Sequence, residues 1–496
     1  MSESTAFGST ALDVASRADT ILCVDRQFGD SAAIYQRNMA RFRVGLTMLA
    51  RQDDICADVL RSTAAAPEGR LHPLLFDPVL RNCFEVDIAR LENGSLERSS
   101  LARYVPSPPV NDSPTGPCEA LTHPHRRAWP GLGDAWVLTE PKPHGGPEEL
   151  LAERLMELYR GALGASGAPR PVHPTDDLCA ALRDGAELLA TLMPAAGAGV
   201  LRHITMVGFT HRESREGPLQ SMSGGDPLPS SVLLAPERCA SPWLVAESLL
   251  HEGAHLKLFD ALRTGSVATN ATERVPIPWR IGSWTVIRVL VALHFYVHLL
   301  VFQTAAAAAG EAVRERFGPP PPAEVIDEPT PGTPAAQHGT YRTSAERARY
   351  LAECALSLPE RALTEHGRRF VRWLLTAFRL VDPEAPAQPP TPPRPAPPHP
   401  AGFPPGAAPR RVTPVDACAL PTLGQLVVSP ADTARMHWLN SRSWTVYSLC
   451  DGRDLTALHT SYVRAAGLPA DSPEATRHVS EGIHHLLAAG LITLDA

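Results

Sequence analysis

A run of prolines divides this chain. Between residues 381 and 414 the sequence includes Ala-Gln-Pro-Pro-Thr-Pro-Pro-Arg-Pro-Ala-Pro-Pro-His-Pro. Proline fixes φ and lacks an amide donor, so such a stretch builds neither helix interior nor sheet. It tends to the extended polyproline conformation, at roughly 3.1 Å per residue, and could span up to about 100 Å. The stretch therefore reads as a linker, 381–414, between a large part, 1–380, and a small one, 415–496. The total of 496 residues suits two to three domains.

The large part is patterned mostly for helices. Apolar residues recur at helical spacing over 10–65, 148–165, 175–193 and 344–380. The period changes near 204–209, and 219–223 and 231–234 read as two further strands. A Gly-Gly-Asp-Pro-Leu-Pro turn joins those two. The expected fold class is mainly α with a small β-sheet beside the helix discussed next, an α+β arrangement. His123, His125 and His144 fall in a Pro- and Gly-rich region and read as loop histidines.

That helix carries His251, Glu252 and His255 in the order HExxH, flanked by Trp243, Leu249, Leu250, Leu256, Leu258 and Phe259. Positions i and i+4 share one helix face, so the two imidazoles can grip one metal ion. Downstream, 284–301 is apolar and long enough to span a bilayer. Arg288, His294 and His298 within it argue for a buried protein helix instead. His294 and His298 are again i and i+4. One of them is a candidate third ligand, and two hydrogen-bonded core histidines are the other reading.

Two chemistries follow from such a site. With zinc, Glu252 acts as general base and peptide hydrolysis results. With iron(II), two histidines and a third side chain leave adjacent positions for a 2-oxoacid and dioxygen. The second chemistry needs a cation for the distal carboxylate, and Arg280 and Arg288 lie on or beside the candidate ligand helix.

The last part reads as a strand at 425–428, a helix from Trp438 to Cys450, helices over 455–465 and 478–489, and a closing strand at 491–494. Gly490 sits where a helix C-cap wants it. This pattern predicts a winged-helix-like α+β module. Its last helix carries Arg477, His478, His484 and His485 with Glu481, which is not basic enough for a DNA-reading helix. The formal charge of −7 likewise predicts no nucleic-acid partner. Nine scattered cysteines without a CxxC pair, and a start lacking a basic, apolar leader, predict a reduced, cytoplasmic chain.

Two resemblances rank these readings. Leu250-His251-Glu252-Gly253-Ala254-His255-Leu256-Lys257-Leu258, Pro278-Trp279-Arg280 and Tyr296-Val297-His298 resemble the HExxH-motif proteins of ribosomal peptide biosynthesis. So do the helical stretches Glu346-Arg347-Ala348-Arg349-Tyr350-Leu351 and Leu363-Thr364-Glu365-His366-Gly367-Arg368-Arg369-Phe370-Val371. Those proteins are 2-oxoglutarate-dependent peptide β-hydroxylases. The resemblance implies iron(II), 2-oxoglutarate and dioxygen, with His251, His255 and His298 as metal ligands. It also implies Arg280 as the 2-oxoglutarate anchor, with Arg288 as the alternative, and a supporting role for Glu252.

In the small part, Trp438-Leu439-Asn440, Trp444-Thr445-Val446-Tyr447-Ser448-Leu449-Cys450-Asp451-Gly452-Arg453 and Leu486-Leu487-Ala488-Ala489-Gly490-Leu491-Ile492 resemble PqqD-type peptide-recognition elements. That resemblance implies that residues 415–496 bind the leader of a precursor peptide by strand addition. The rival readings are a zinc metallopeptidase trimming such a precursor and a non-catalytic peptide-binding protein.

Overall fold

The motif stretch forms a helix from Pro242 to Leu262, started by Ser241, whose hydroxyl accepts the Trp243 amide. Pro242 occupies the first turn, where its missing N–H is no loss. This motif helix is apolar on every side: Leu249, Leu250, Ala254, Leu256, Leu258 and Ala261 are all almost completely buried. A helix of that kind belongs inside a core. It packs against the helices Asp176–Leu192, Ala196–Leu201 and Val286–Ala307 and against the strand Ser221–Ser223. Gly185 lets the helix Asp176–Leu192 approach closely, since a Cβ there would stand 2.5 Å from the Val245 Cβ.

The computed structural model describes residues 3–105, 126–129, 135–139, 147–164, 170–321, 330–387 and 403–495, apart from 212, 215–216, 270–271 and 405. His123, His125 and His144 lie outside the described residues. The chain is mainly helical with small sheets, the α+β class expected.

Contacts divide the chain into two units. The first comprises Met1–Tyr35, Phe76–Asn82 and Leu121–Pro389. Its five-stranded sheet runs in the order Arg126–Ala128, Trp136–Leu138, Met206–Phe209, Ser231–Leu234, Ser221–Ser223. The two parallel pairings of Met206–Phe209, with Trp136–Leu138 and with Ser231–Leu234, put it at the centre. Met206–Phe209 and Ser231–Leu234 are buried along their whole length, as strands covered on both faces are. Ser221–Ser223 closes the sheet antiparallel to Ser231–Leu234, with the Gly-Gly-Asp-Pro-Leu-Pro stretch turning the chain between them. The helix Val286–Ala307 is long and apolar enough to cross a membrane, but two thirds of it is buried within the protein. Between it and the motif helix, a hairpin pairs Arg274–Pro276 with Ser283–Thr285; the sequence pattern gives a polar loop over 263–278 and an apolar helical run from Trp284, so neither strand is legible in it.

A buried ion network ties the motif helix down. Asp260 accepts from the Arg81 guanidinium at 2.5 Å and meets His203 Nδ1 at 2.5 Å. Arg81 also donates to the Ser230 hydroxyl at 2.7 Å.

The second unit comprises Gln36–Leu75, Cys83–Ala120 and Pro390–Ala496. The first two of these segments were expected in the 1–380 domain. A helical pattern shows which face is buried but not against which neighbour, so a linear division could not place them. The C-terminal module has a three-stranded antiparallel sheet, Asp416–Leu420, Gln425–Ser429, His437–Asn440, in that order. The helices Ser441–Leu449, Leu455–Ala466 and Pro473–Ala488 follow. Trp438 and Leu439, expected on a helix, lie on the third strand. Asn440 then caps the first helix, its side chain accepting the Ser443 amide.

The closing strand Ile492–Asp495 pairs not with that sheet but with Ala408–Arg411, inside the expected linker 381–414. Pro409 masked that strand in the sequence; its missing N–H lies on the edge away from Ile492–Asp495, where its carbonyl accepts the Gly452 amide, so no ladder bond to the closing strand is lost. Gly490 takes the left-handed conformation, and the Leu491 amide returns to the Leu486 carbonyl, a helix stop as predicted.

Candidate metal centre

One turn of the motif helix brings three donor groups together. One donor atom from each of His251, Glu252 and His255 can be chosen so that all lie within 4.8 Å of one another. The two imidazole rings are 4.9 Å apart at 63°. His251 stacks on Phe295 of the next helix, with ring centroids 3.6 Å apart and planes 11° from parallel. Its side chain is 35% exposed, so the centre opens to solvent on this side. Burial, and then the nearby Arg238 guanidinium, hold His251 below the ordinary imidazole value. Arg238 is itself fixed by the Ser248 hydroxyl and the Leu244 carbonyl.

Glu252 is 3% exposed and turned toward the sheet. Its Oε1 accepts from the Ser221 hydroxyl at 2.7 Å, and the Ser223 amide also points at the carboxylate. Burial pushes its pKa up, against the pull of His255 and of both serines. His255 is lowered to about 4 by burial and by His251, and its Nδ1 is buried with no hydrogen-bond partner.

His298 stands outside this three-residue cluster. It is near enough to His255 for the two rings to repel when charged. Its Nδ1 lies 2.8 Å from the His294 carbonyl. That geometry makes Nδ1 the N–H and leaves Nε2 a lone pair, and Nε2 is buried with no partner. A ring with one nitrogen on a backbone carbonyl and the other bare has the tautomer of a metal ligand. His294 instead packs among His298, Phe370 and Trp373 with neither nitrogen bonded.

Arg280 is half-buried in the turn of the hairpin, its amide on the Ile277 carbonyl. Arg288 is exposed and lies over Trp284, 4.6 Å from the ring centre. The sequence reading did not single out Phe295, Arg238, Ser221 or Ser223. The period-two spacing of the two serines on a short strand was a usable signal. Arg238, in a 3-10 turn before the motif helix, gave none.

A metal fits the residues present. Two imidazoles and a carboxylate converge, and His255 Nδ1 and His298 Nε2 are buried nitrogens that no protein group satisfies. Compared with known proteins, the chain matches no family model and no curated protein.

Proposed function

We propose that this protein is an iron(II)- and 2-oxoglutarate-dependent hydroxylase of side-chain β-carbons in a ribosomally made precursor peptide. The observation that carries the reading is the convergence of His251, Glu252 and His255 on one buried helix. His251 and His255 hold the metal, and His298, with its tautomer set by the His294 carbonyl, is the third ligand. Iron(II), when bound there, supplies dioxygen activation coupled to the oxidative decarboxylation of 2-oxoglutarate. Arg280 anchors the distal carboxylate of 2-oxoglutarate; Arg288, exposed on Trp284, is the weaker candidate.

Glu252 favours this reading over a zinc peptidase. A hydrolytic base must reach a water with a free carboxylate. Glu252 is instead buried and held by Ser221 and Ser223, where it fixes the motif helix to the sheet.

Residues 415–496 act as a winged-helix-like, PqqD-type module that takes the leader peptide as an added strand. Support comes from the small sheet, whose outer strands Asp416–Leu420 and His437–Asn440 each have one neighbour among the described residues. A cytoplasmic location suits the described cysteines, all of them free.

The test uses protein purified without oxygen, loaded with iron and 2-oxoglutarate, mixed with the precursor encoded nearby and exposed to air. Peptide heavier by one oxygen atom per event, with matching succinate, is the expected result. Cleavage without 2-oxoglutarate would identify the zinc peptidase. Unchanged peptide with a tightly bound leader would leave a binding protein.

A further inference from the structure

The motif helix meets solvent along one narrow row. From Leu249 to Arg263 the residues that are not buried are His251, His255, Phe259, Leu262 and Arg263. At roughly 100° per residue they fall within about 120° of the helix surface. The row starts at the proposed metal ligands and runs on for roughly two more turns. A cavity of about 220 Å³ lies at its far end, lined by Phe259, Leu262 and Arg263 and by Gly225 and Asp226. The Phe259 ring stacks on that of His255, with centroids 6.3 Å apart and planes 23° from parallel. The opposite wall also leads back to the centre: Ser221 donates to Glu252 at 2.7 Å, and its strand, Ser221–Ser223, runs on to Gly225.

The walls of this cavity are fixed in advance. Asn82 donates its side-chain amide to the Asp226 and Pro227 carbonyls, at 3.1 and 3.3 Å. The Leu228 amide returns to the Gly224 carbonyl at 3.1 Å. Asp226 and Arg263 pair with each other at 2.5 Å, so neither offers an isolated charge to a ligand. What remains to bind is the apolar surface of Phe259 and Leu262, and the ligand that suits it is apolar.

The volume is below the roughly 300–1,000 Å³ of a small-molecule site, which suits a single side chain. The dicarboxylate 2-oxoglutarate does not fit the role. Its five-carbon chain spans roughly 6 Å, too short to chelate the metal and also fill the cavity. Resting on the function proposed above, we infer that this cavity is the specificity pocket of the reaction and takes one large apolar side chain of the precursor peptide. Phe259 and Leu262 lie about 6 and 10 Å past His255 along the helix axis. An extended peptide advances roughly 3.3 Å per residue. The side chain therefore belongs to the residue two or three positions from the one that is hydroxylated.

The test uses the full chain loaded with iron, without oxygen, and the precursor encoded nearby with a benzophenone side chain at each core position in turn. Irradiation is expected to join one position, or two neighbours, to the stretch Phe259–Arg263. In air, alanine in place of the apolar residue at that position is expected to lower kcat/KM about tenfold or more. Leu262→Trp, which fills the cavity, is expected to abolish the cross-link and to make the two peptides equal substrates, with bound iron and the KM for 2-oxoglutarate unchanged. A variant that keeps the preference overturns the inference. So does a precursor that joins nowhere on 259–263; if that precursor is still hydroxylated, the proposed function stands without the pocket. Cross-links at 259–263 on a peptide that is never oxidised keep the pocket and remove the hydroxylase reading. The cross-link on the natural protein needs no variant, so it decides even if Leu262→Trp does not fold.

Discussion

Asp260→Asn is the most informative single change to the fold. The carboxylate is held between Arg81 and His203, with side chains only 2%, 7% and 3% exposed for Arg81, Asp260 and His203. Burial pushes the Asp260 pKa up, but Arg81 and the hydrogen bond from His203 more than reverse this, so the acid is ionised. Asparagine keeps the shape and removes the charge, which leaves the Arg81 guanidinium uncompensated in the core. Breaking a buried pair in this way costs about 3–5 kcal/mol. For a unit of this size that is a fall in melting temperature of roughly 6–15 °C. The assay is thermal unfolding at neutral pH of the natural protein, Asp260→Asn, and the double variant Arg81→Met with Asp260→Asn. If an uncompensated charge is the cause, the double variant recovers at least half of the loss. A single variant that melts like the natural protein, or a double variant worse than the single by an independent increment, would refute the argument.

Other expectations are simpler. His203 and His294 are both held below the ordinary imidazole value, chiefly by burial. Below about pH 6.5 the unfolded chain takes up protons that these folded rings refuse, so stability falls with pH at up to about 3 kcal/mol per unit for the two. Urea midpoints measured from pH 8 down to about 5.5 test this, and a flat profile contradicts it. Gly185→Val forces its side chain into Val245 and costs about 1–3 kcal/mol by overpacking; unchanged melting would show the helices free to part. His251→Ala and His255→Ala each reduce bound iron at least about tenfold, with little change in metal-free melting. Metal analysis after desalting checks this, and full iron content in either variant removes that residue from the centre.

The parts of this fold that the sequence made legible are those governed by local pattern. The motif helix, the strand Ser231–Leu234 and the stop at Gly490 follow from spacing and capping, and they stand where spacing put them. What stayed hidden depends on prolines or on distance. Pro276 and Pro278 made the first strand of the hairpin after the motif helix look like loop, and Pro409 did the same for Ala408–Arg411. Arg81 and His203 lie 179 and 57 residues from Asp260, and no periodicity links them. The i, i+4 rule placed His294 and His298 on one face of their helix, but it could not say that His294 would face Phe370 and Trp373.

One property of the motif helix connects its packing to the site. A helix apolar on all sides has no stripe to fix its rotation, so any angle buries similar area. Its buried polar residues must then set the angle. Taking His251 as zero and roughly 100° per residue, Glu252, Asp260 and Lys257 point near 100°, 180° and 240°, and His255 near 40°. Glu252 is held by Ser221, and Asp260 by Arg81 and His203. Glu252 holds the helix just beside the two imidazoles and Asp260 holds it from behind, and together they turn His251 onto Phe295. The double variant at Arg81 and Asp260 separates the two roles of that pair. It regains melting temperature, since no charge is left uncompensated, yet it binds iron more weakly than the natural protein, since the helix is free to turn. Equal affinity in the two proteins would mean that Glu252 and the packing alone fix the angle, and that the ion network contributes nothing to the centre.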